Sequence, residues 1–279
     1  MDPEDYQPLF YMALVYRRMG EWDKSLELIR KVVSLNPQEP LYLTNIGLSY
    51  VYMHDFDSAL IYHQKAIEIS PEWSGPYLNK IQALLLKYGN TSAAQAVLDS
   101  AVKMTGENLT EYEIILDIYD NRFTQALDRT LKSDHTDFAI RGSKYLYLAN
   151  IYNQLNKPGI AVSYYDSALV LLKQELVRDS TGSFLHSYLG LASAGIGDEE
   201  KAIAEGKKAI NIATENKNMM EVSDMKVSLA LIYTMLGKYE EAITYVEEAL
   251  TNPSNFSIKL MQIDPGWKPL FDQPDFKNL

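Results

Sequence analysis

The feature that most constrains the fold of this chain is a pattern of residue classes that returns after 34 residues. A small residue, a tyrosine, a turn residue, a second small residue and a proline form the first copy and recur in the second: Ala13, Tyr16, Gly20, Ser25 and Pro37, then Gly47, Tyr50, His54, Ala59 and Pro71. Repeat architectures show such self-similarity and ordinary domains do not, so we predict an array of stacked units.

The same classes return further along the chain, with two weaker copies in the middle. The small residue of the second half marks about seven repeats: Ser25, Ala59, Ala93, Ala126, Ala161, Ala202 and Ala242. Apolar residues at helical spacing, a Gly or polar turn and a second helical pattern make up each copy. Each copy therefore predicts a helical hairpin in which small residues let the two helices approach closely.

The last repeats are longer than the first. Their extra residues lie in 169–183 and 210–223, where apolar residues continue at helical spacing through Leu172, Leu176 and Ile212. This pattern favours lengthened second helices over loops. In the fourth repeat, Ile114 replaces a small residue and Asp117 replaces the tyrosine. Either the superhelix changes direction there, or the repeat has drifted without a change of geometry.

These residues resemble the tetratricopeptide repeat family. The resemblance implies an all-α fold: a right-handed superhelical solenoid of antiparallel helix pairs with about seven repeats. We expect the array at 1–257, with repeats at about 6–39, 40–73, 74–106, 107–141, 142–182, 183–222 and 223–257, and a capping segment at 258–279. Trp267, Phe271 and Phe276 are expected to cover the last hairpin near Leu229, Tyr233 and Val246, because an end repeat exposes an apolar face.

The terminal segment also resembles a more specific group. Asp264-Pro265, Trp267 and Pro269-Leu270, followed by Pro274 and Phe276, are similar to the C-terminal signature of bacterial multidomain proteins. In those proteins a tetratricopeptide array follows an adenylate-cyclase-like, kinase, winged-helix or TolB-like region. Because Asp2-Pro3-Glu4-Asp5 is similar to the end of a repeat, we expect a C-terminal fragment whose N-terminal repeat is uncapped and could mediate oligomerisation.

Composition limits the partners of this chain. Its net charge of −11 repels nucleic acid and anionic lipid, and no basic stripe counters it. Without cysteine the chain has no thiolate metal site and no cysteine nucleophile. No apolar run is long enough to span a membrane. We therefore expect no nucleic-acid or membrane partner through this region, and a cytoplasmic location, or a periplasmic one if an upstream membrane span exists.

No residues stand out for catalysis. His54, His63, His135 and His186 are not spaced as zinc ligands on one helix, and no nucleotide-binding or hydrolase motif is present. The cluster around His135 is typical of a solvated turn. The tyrosines at the repeat period, such as Tyr50, are interpreted as structural. We predict no catalytic residue, no metal site and no cofactor, and therefore no enzyme in the chain itself.

The candidate binding residues lie on the opposite edge of the first helices. In the family that this chain resembles, this edge lines a concave groove, and here it holds Arg17, Asn45, Tyr52, Asn79, Tyr147, Asn150, Asn153, Tyr188 and Asp224. Asn and Tyr can hydrogen-bond a peptide backbone without demanding one sequence. The carboxylate clamp of the family is not expected, because Phe10 and Leu14 occupy its Lys and Asn positions.

These observations predict a non-catalytic scaffold that binds a protein or peptide. It would be the regulatory or docking region of a larger bacterial signalling protein. The alternative is a small-ligand sensor with a pocket in the enlarged C-terminal repeats.

Overall fold

The structure is a computed structural model that describes residues 6–140, 142–178, 182–274 and 276. Within these residues, all regular secondary structure is helical. Fourteen helices form seven consecutive pairs: α1 (Gln7–Arg18) and α2 (Trp22–Leu35), α3 (Pro40–Tyr52) and α4 (Phe56–Ile69), α5 (Ser74–Tyr88) and α6 (Thr91–Thr105), α7 (Thr110–Tyr119) and α8 (Phe123–Lys132), α9 (Ser143–Gln154) and α10 (Pro158–Arg178), α11 (Ser183–Gly195) and α12 (Glu199–Glu215), and α13 (Met219–Met235) and α14 (Tyr239–Thr251). The predicted all-α fold of helix pairs is confirmed.

Two short helices follow the last pair, α15 (Ile258–Ile263) and α16 (Lys268–Phe271). A 3-10 turn at Pro265–Trp267 separates them, and another lies at His135–Asp137. The 3-10 turn at His135–Asp137 confirms the turn that the sequence predicts around His135.

A left-handed backbone residue lies in the turn of every pair. It has a positive φ in each case: Gly20, His54, Gly89, Asn121, Asn156, Gly197 and Gly237. Glycine reaches this region without steric cost, and asparagine tolerates it better than most other residues. These turn residues therefore recur in the sequence because their left-handed backbone lets the chain reverse direction within a few residues.

Small residues bring the two helices of a pair together. Ala13, Ala59 and Ala161 are fully buried, and the Ser25 hydroxyl donates a hydrogen bond to the carbonyl oxygen of Ala13 at 2.8 Å. The third repeat differs from the expectation, because Ala94 is the fully buried residue and Ala93 is exposed. Helix α6 begins at Thr91, 35 residues after α4 begins at Phe56, whereas α4 begins 34 residues after α2, so the fourth residue of α6 is Ala94 rather than Ala93.

The second helices of the fifth and sixth pairs are longer than those of the first two. Helix α10 has 21 residues and α12 has 17, whereas α2 and α4 have 14 each. The apolar spacing through Leu172 and Ile212 therefore predicted these extensions correctly. Leu172 is fully buried in the core that α10 forms with α9 and α11.

Tyrosines at the repeat period pack within their own helix pairs. Tyr50 stacks on Tyr62 with ring centroids 5.6 Å apart, and the equivalent pairs Tyr152–Tyr164 and Tyr233–Tyr245 lie 5.3 and 6.0 Å apart. Each pair joins the first helix to the second across 12 residues of sequence. The structural interpretation of these tyrosines is therefore correct.

The fourth pair has an ion cluster where four other pairs have a tyrosine, namely Tyr16, Tyr50, Tyr152 and Tyr233. Asp117 is 2% exposed and accepts hydrogen bonds from Nε of Arg122 at 2.9 Å and from Nε of Arg129 at 3.1 Å. Arg129 also pairs with Glu113. The two arginine cations therefore compensate for the burial of the Asp117 carboxylate, which explains how a charged residue can occupy this buried position.

The chain divides into two compact units. Unit 1 contains the residues up to Glu107 together with Lys217–Met220 and Asn252–Leu260, and unit 2 contains Asn108–Asn216, Glu221–Thr251 and the residues from Met261 onward. In unit 1, Phe10, Ile29 and Ile46 belong to one continuous core. In unit 2, helices α9 to α11 share another core.

The segment after α14 packs differently from the expectation at its start. The backbone N–H of Ser254 donates to the carbonyl oxygen of Tyr52 at 2.8 Å, and the Ser257 hydroxyl donates to that of Leu86 at 2.6 Å. Leu260 packs on the core of unit 1. The residues that lead into the predicted cap therefore lie against the ends of α3 and α5, because Ser254 and Ser257 bind carbonyl oxygens of those helices, a contact that the sequence did not predict.

Candidate functional site

The nine predicted groove residues fall into the two units. Arg17, Asn45, Tyr52 and Asn79 belong to unit 1, and Tyr147, Asn150, Asn153, Tyr188 and Asp224 belong to unit 2.

In unit 1, Arg17 is buried and binds Asn45, which is half-buried. Arg17 is 6% exposed and its guanidinium donates to the Asn45 carbonyl oxygen and to Asn45 Oδ1, both at 2.9 Å. Burial lowers the pKa of Arg17 to about 10, so the group stays charged at neutral pH. Tyr52 stacks on Trp22 at 5.5 Å. Arg17 and Asn45 therefore join α1 to α3, and Arg17 presents little surface to a ligand, while Asn45 and Asn79 are half-buried.

In unit 2, two of the candidates line a cavity of about 400 Å³. Asn150 and Asn153 of α9 contribute amides, and Gln154 adds a third. The Asn153 amide nitrogen donates to the Tyr165 hydroxyl at 3.3 Å, and burial raises the pKa of Tyr165 to about 12. The polar side of the cavity thus offers neutral donors and acceptors of the kind that pair with a peptide backbone.

The other walls of the cavity are apolar. The first helices of three successive pairs supply its main apolar side chains: Leu146 of α9, Leu191 of α11, and Leu231 and Met235 of α13. Pro265, Gly266 and Pro269 close one side. Among the described residues that line this cavity, none carries a charged side chain.

Gly195 explains how Tyr165 reaches the cavity. A Cβ atom at this position would overlap the ring of Tyr165, so the absence of a side chain at the end of α11 makes room for the ring. Tyr165 itself is 5% exposed. The close approach of backbone and ring therefore fixes the hydroxyl beside Asn153.

An acidic and aromatic cluster lies next to the cavity in unit 2. The Tyr147 hydroxyl donates to Glu111 Oε1 at 3.1 Å, and the backbone N–H of Ala139 donates to Glu111 Oε2 at 3.0 Å. Burial, and then the charge of Glu111, raises the pKa of Tyr188 to about 12. These two tyrosines are predicted groove residues, and both lie near the carboxylate of Glu111.

Asp264 belongs to the same cluster. Burial raises the pKa of its carboxyl to about 6, and its side chain accepts a hydrogen bond from the backbone N–H of Gly266 at 2.9 Å. The pKa of Tyr119 is raised by burial and by the charge of Asp264. Asp224 of α13 is half-buried and lies two helical turns before Leu231.

The sequence did not identify several residues of this site. Tyr165 was not among the predicted groove residues, and Leu191, Leu231 and Met235 have ordinary apolar spacing. Leu191 lies about one turn after Tyr188, and Leu231 about two turns after Asp224, on the same helix faces, and this position was the signal that could have found them. No sequence signal predicts that Pro265, Gly266 and Pro269 line the cavity, because the place where this segment folds back depends on the tertiary structure.

Within the described part of the chain, no group of three or more His, Asp or Glu side chains could hold a metal ion. A search of the same residues finds no helix that is long and apolar enough to cross a membrane.

The fold and the site define a helix-pair repeat protein with a neutral cavity on the first helices of its last three pairs. Profiles of the tetratricopeptide repeat family match residues 9–38, 41–72 and 223–255. Residues 9–38, 41–72 and 223–255 therefore carry tetratricopeptide repeats, which typically mediate interactions between proteins.

Known proteins resemble the chain over different lengths. Tetratricopeptide repeat protein 21B of Mus musculus is 23% identical over 218 residues, which cover 70% of this chain and 16% of that protein. The chain thus spans a small part of this curated relative.

Two solved structures share the fold. A tetratricopeptide repeat protein from Parabacteroides merdae aligns with a TM-score of 0.53 at 15% identity and covers 96% of this chain and 99% of that one. A chain of the APC/C hetero-tetramer Cut9–Hcn1 aligns with a TM-score of 0.51 at 17% identity, over 90% of this chain and 47% of that one. Such identities show the fold alone.

Proposed function

We propose that the chain is a non-catalytic scaffold that binds an extended peptide segment of a partner protein in the cavity of unit 2. It would act as the regulatory or docking region of a larger bacterial signalling protein in the cytoplasm. The terminal signature motivates this context, and the chain from Parabacteroides merdae is a bacterial protein of the same length and fold.

The observation that carries the proposal is the chemistry of the cavity. Asn150, Asn153 and Gln154 provide amide donors and acceptors, while Leu191 and Leu231 provide an apolar surface opposite. An extended peptide needs both, since its backbone has unpaired N–H and C=O groups and its side chains alternate in direction. Because the lining is uncharged, the site does not select a terminal carboxylate.

A library of capped nine-residue peptides tests this proposal. We expect a subset of peptides to bind the full chain, measured by fluorescence polarisation. Leu191→Trp should abolish this binding by filling the cavity. The matched control is Val170→Trp, which adds the same side chain to an exposed position of α10 in the same unit. If no peptide binds, or if Leu191→Trp leaves binding unchanged, the proposal fails.

A second candidate function is a small-ligand sensor. The cavity of about 400 Å³ lies in the enlarged repeats and falls in the size range of small-molecule sites. A thermal-shift screen with uncharged metabolites separates the two candidates, because a ligand that binds only the folded state raises the melting temperature. A shift that Leu191→Trp removes would favour the sensor, and a screen without any shift would count against it.

A further inference from the structure

The first helices of unit 2 contribute to two adjoining parts of different chemistry. The first is the neutral cavity, and the second is the acidic and aromatic cluster of Glu111, Tyr119, Tyr147, Tyr188 and Asp264. Tyr147 lies about one helical turn before Asn150 on α9, and Tyr188 about one turn before Leu191 on α11. The two parts therefore lie along the same helix faces.

The tail segment joins the two parts as well. Asp264, in the cluster, directly precedes Pro265 and Gly266, which line the cavity. A ligand that lies along the first helices would therefore meet the cluster and the cavity in succession. One helical turn spans about 5.4 Å, which corresponds to roughly two residues of an extended peptide.

The carboxyl groups of the cluster have no cationic partner of their own. Within the described residues, no Lys or Arg forms an ion pair with Glu111 or Asp264. Glu111 is held by the Tyr147 hydroxyl and by the backbone N–H of Ala139, and both of these donors are neutral. By contrast, the buried Asp117 of the same unit is paired with two arginines. Within the described residues, no cation therefore neutralises the carboxylates of the cluster.

The tyrosines fit the same ligand chemistry. Burial keeps the phenols of Tyr119, Tyr147 and Tyr188 in their neutral form, because it raises the pKa of each. Neutral aromatic faces attract cations, and the attraction grows where water is excluded. A carboxylate among three such rings matches a lysine or arginine side chain, and it repels an acidic one.

We propose that the neutral cavity and the acidic cluster of unit 2 together select peptides with a lysine or arginine that enters the cluster of Glu111 and Asp264. An uncharged apolar residue about two positions away fills the neighbouring cavity. This inference rests on the proposed function and specifies its ligand. The charge of the chain supports it, because a net charge of −11 attracts basic partners over a distance. The pKa of Asp264, raised to about 6, is also the value of a buried carboxyl that lacks a cation.

The test uses a capped nine-residue library in which one position is fixed as Lys, Arg, Gln or Glu. We expect Lys and Arg peptides to bind the full chain about tenfold more tightly than Gln peptides, with Glu peptides weakest. Replacing the selected lysine by acetyl-lysine keeps most of its shape and removes its charge, so the same loss is expected without any change in the protein.

Protein variants supply the second part of the test. Glu111→Gln and Asp264→Asn keep hydrogen-bond acceptors and should each reduce the preference for Lys and Arg severalfold. Glu247→Gln makes the same charge change on an exposed site of α14 outside the cavity lining, and should leave the preference unchanged. Melting curves confirm that each variant is folded.

The outcomes separate this inference from the proposed function. Peptides that bind through the cavity without a basic preference overturn the inference and leave the scaffold intact. A basic preference that survives both Glu111→Gln and Asp264→Asn also overturns the inference, because the cation would then bind elsewhere. If no peptide binds, both the inference and the proposed function fail.

Discussion

The imidazole of His63 lies so close to Gly47 that a Cβ atom on this glycine would stand 2.5 Å from the Cε1 atom of the ring. His63 is fully buried, and within the described residues neither ring nitrogen has a hydrogen-bonding partner. The ring therefore fills the space between α3 and α4 that a larger residue at position 47 would occupy. This relationship explains why the second repeat has glycine where the first has Ala13.

Gly47→Ala should destabilise the protein by about 1–3 kcal/mol, because the buried ring must move to admit the methyl group. Chemical denaturation measures this loss. Gly159→Ala is the matched control, since no atom outside its own helix lies within 4 Å of a Cβ there. Alanine at position 159 should be neutral or stabilising by up to about 1 kcal/mol. A Gly47→Ala protein as stable as the native one would contradict the predicted overlap.

His63 should make stability depend on pH. Burial, and then the charge of Lys80, lowers the pKa of His63 to about 3 in the folded protein. The unfolded chain binds this proton near pH 6.5, so its contribution to stability is complete above that pH and is lost as the pH falls towards 3. Each pH unit in this window costs about 1.4 kcal/mol at most.

The measurement compares unfolding midpoints from pH 7 to pH 4 for the native protein and for His63→Leu. The native protein should lose stability more steeply, since leucine binds no proton. Carboxylates contribute equally to both proteins, so only the difference between the two slopes reports on His63. Parallel slopes would show that the histidine is protonated, or exposed to water, in the folded state.

The sequence predicted the helix pairs because each pair repeats the same local requirements. The turn residues need a left-handed backbone, as at Gly20, and the close contacts need a small side chain, as at Ala59. The one-residue error at Ala93 arose because α6 begins 35 residues after α4, one more than the 34 residues that separate α4 from α2. Local signals thus predicted the elements, and an insertion was enough to move one contact.

The site could be predicted only in part. Asn150 and Asn153 were found because helical periodicity places them on one face, and they do line the cavity. The same periodicity selected Arg17, yet its guanidinium is buried and donates two hydrogen bonds to Asn45. Periodicity identifies a face of a helix, but what covers that face depends on residues distant in the sequence.

The ion cluster of the fourth pair provides a third prediction. Asp117→Asn should destabilise the protein by about 2–3 kcal/mol, because Arg122 and Arg129 would lose the carboxylate at 2.9 and 3.1 Å. Both arginines are partly exposed, so the loss should fall below that of a fully buried pair.

Asp128→Asn is the control for this prediction. It removes a carboxylate that pairs with Lys132 on the surface of α8, where both side chains are mostly exposed. Such surface pairs contribute less than about 1 kcal/mol. Equal losses of unfolding free energy for Asp117→Asn and Asp128→Asn in urea denaturation would mean that the ion cluster contributes no more to stability than a surface ion pair.

The last prediction concerns the segment that follows α14. In unit 1 the N–H of Ser254 and the hydroxyl of Ser257 bind carbonyl oxygens at Tyr52 and Leu86, which lie more than 170 residues earlier in the sequence. Phe256, between the two serines, is 2% exposed. Repeats usually couple only to their neighbours, so damage to a terminal segment would be expected to stay local. Here the contacts link this segment to the second and third pairs.

Phe256→Ala should therefore cost about 3–5 kcal/mol and weaken the ends of α3 and α5. Hydrogen exchange on the full chain should show reduced protection near Tyr52 and Leu86 as well as near position 256. Phe184→Ala, which truncates a phenylalanine that is 39% exposed in α11, should cost much less and leave those helix ends protected. If Phe256→Ala lowered protection only in α13 and α14, the segment would be acting as a local cap of the last hairpin, as the sequence alone predicts.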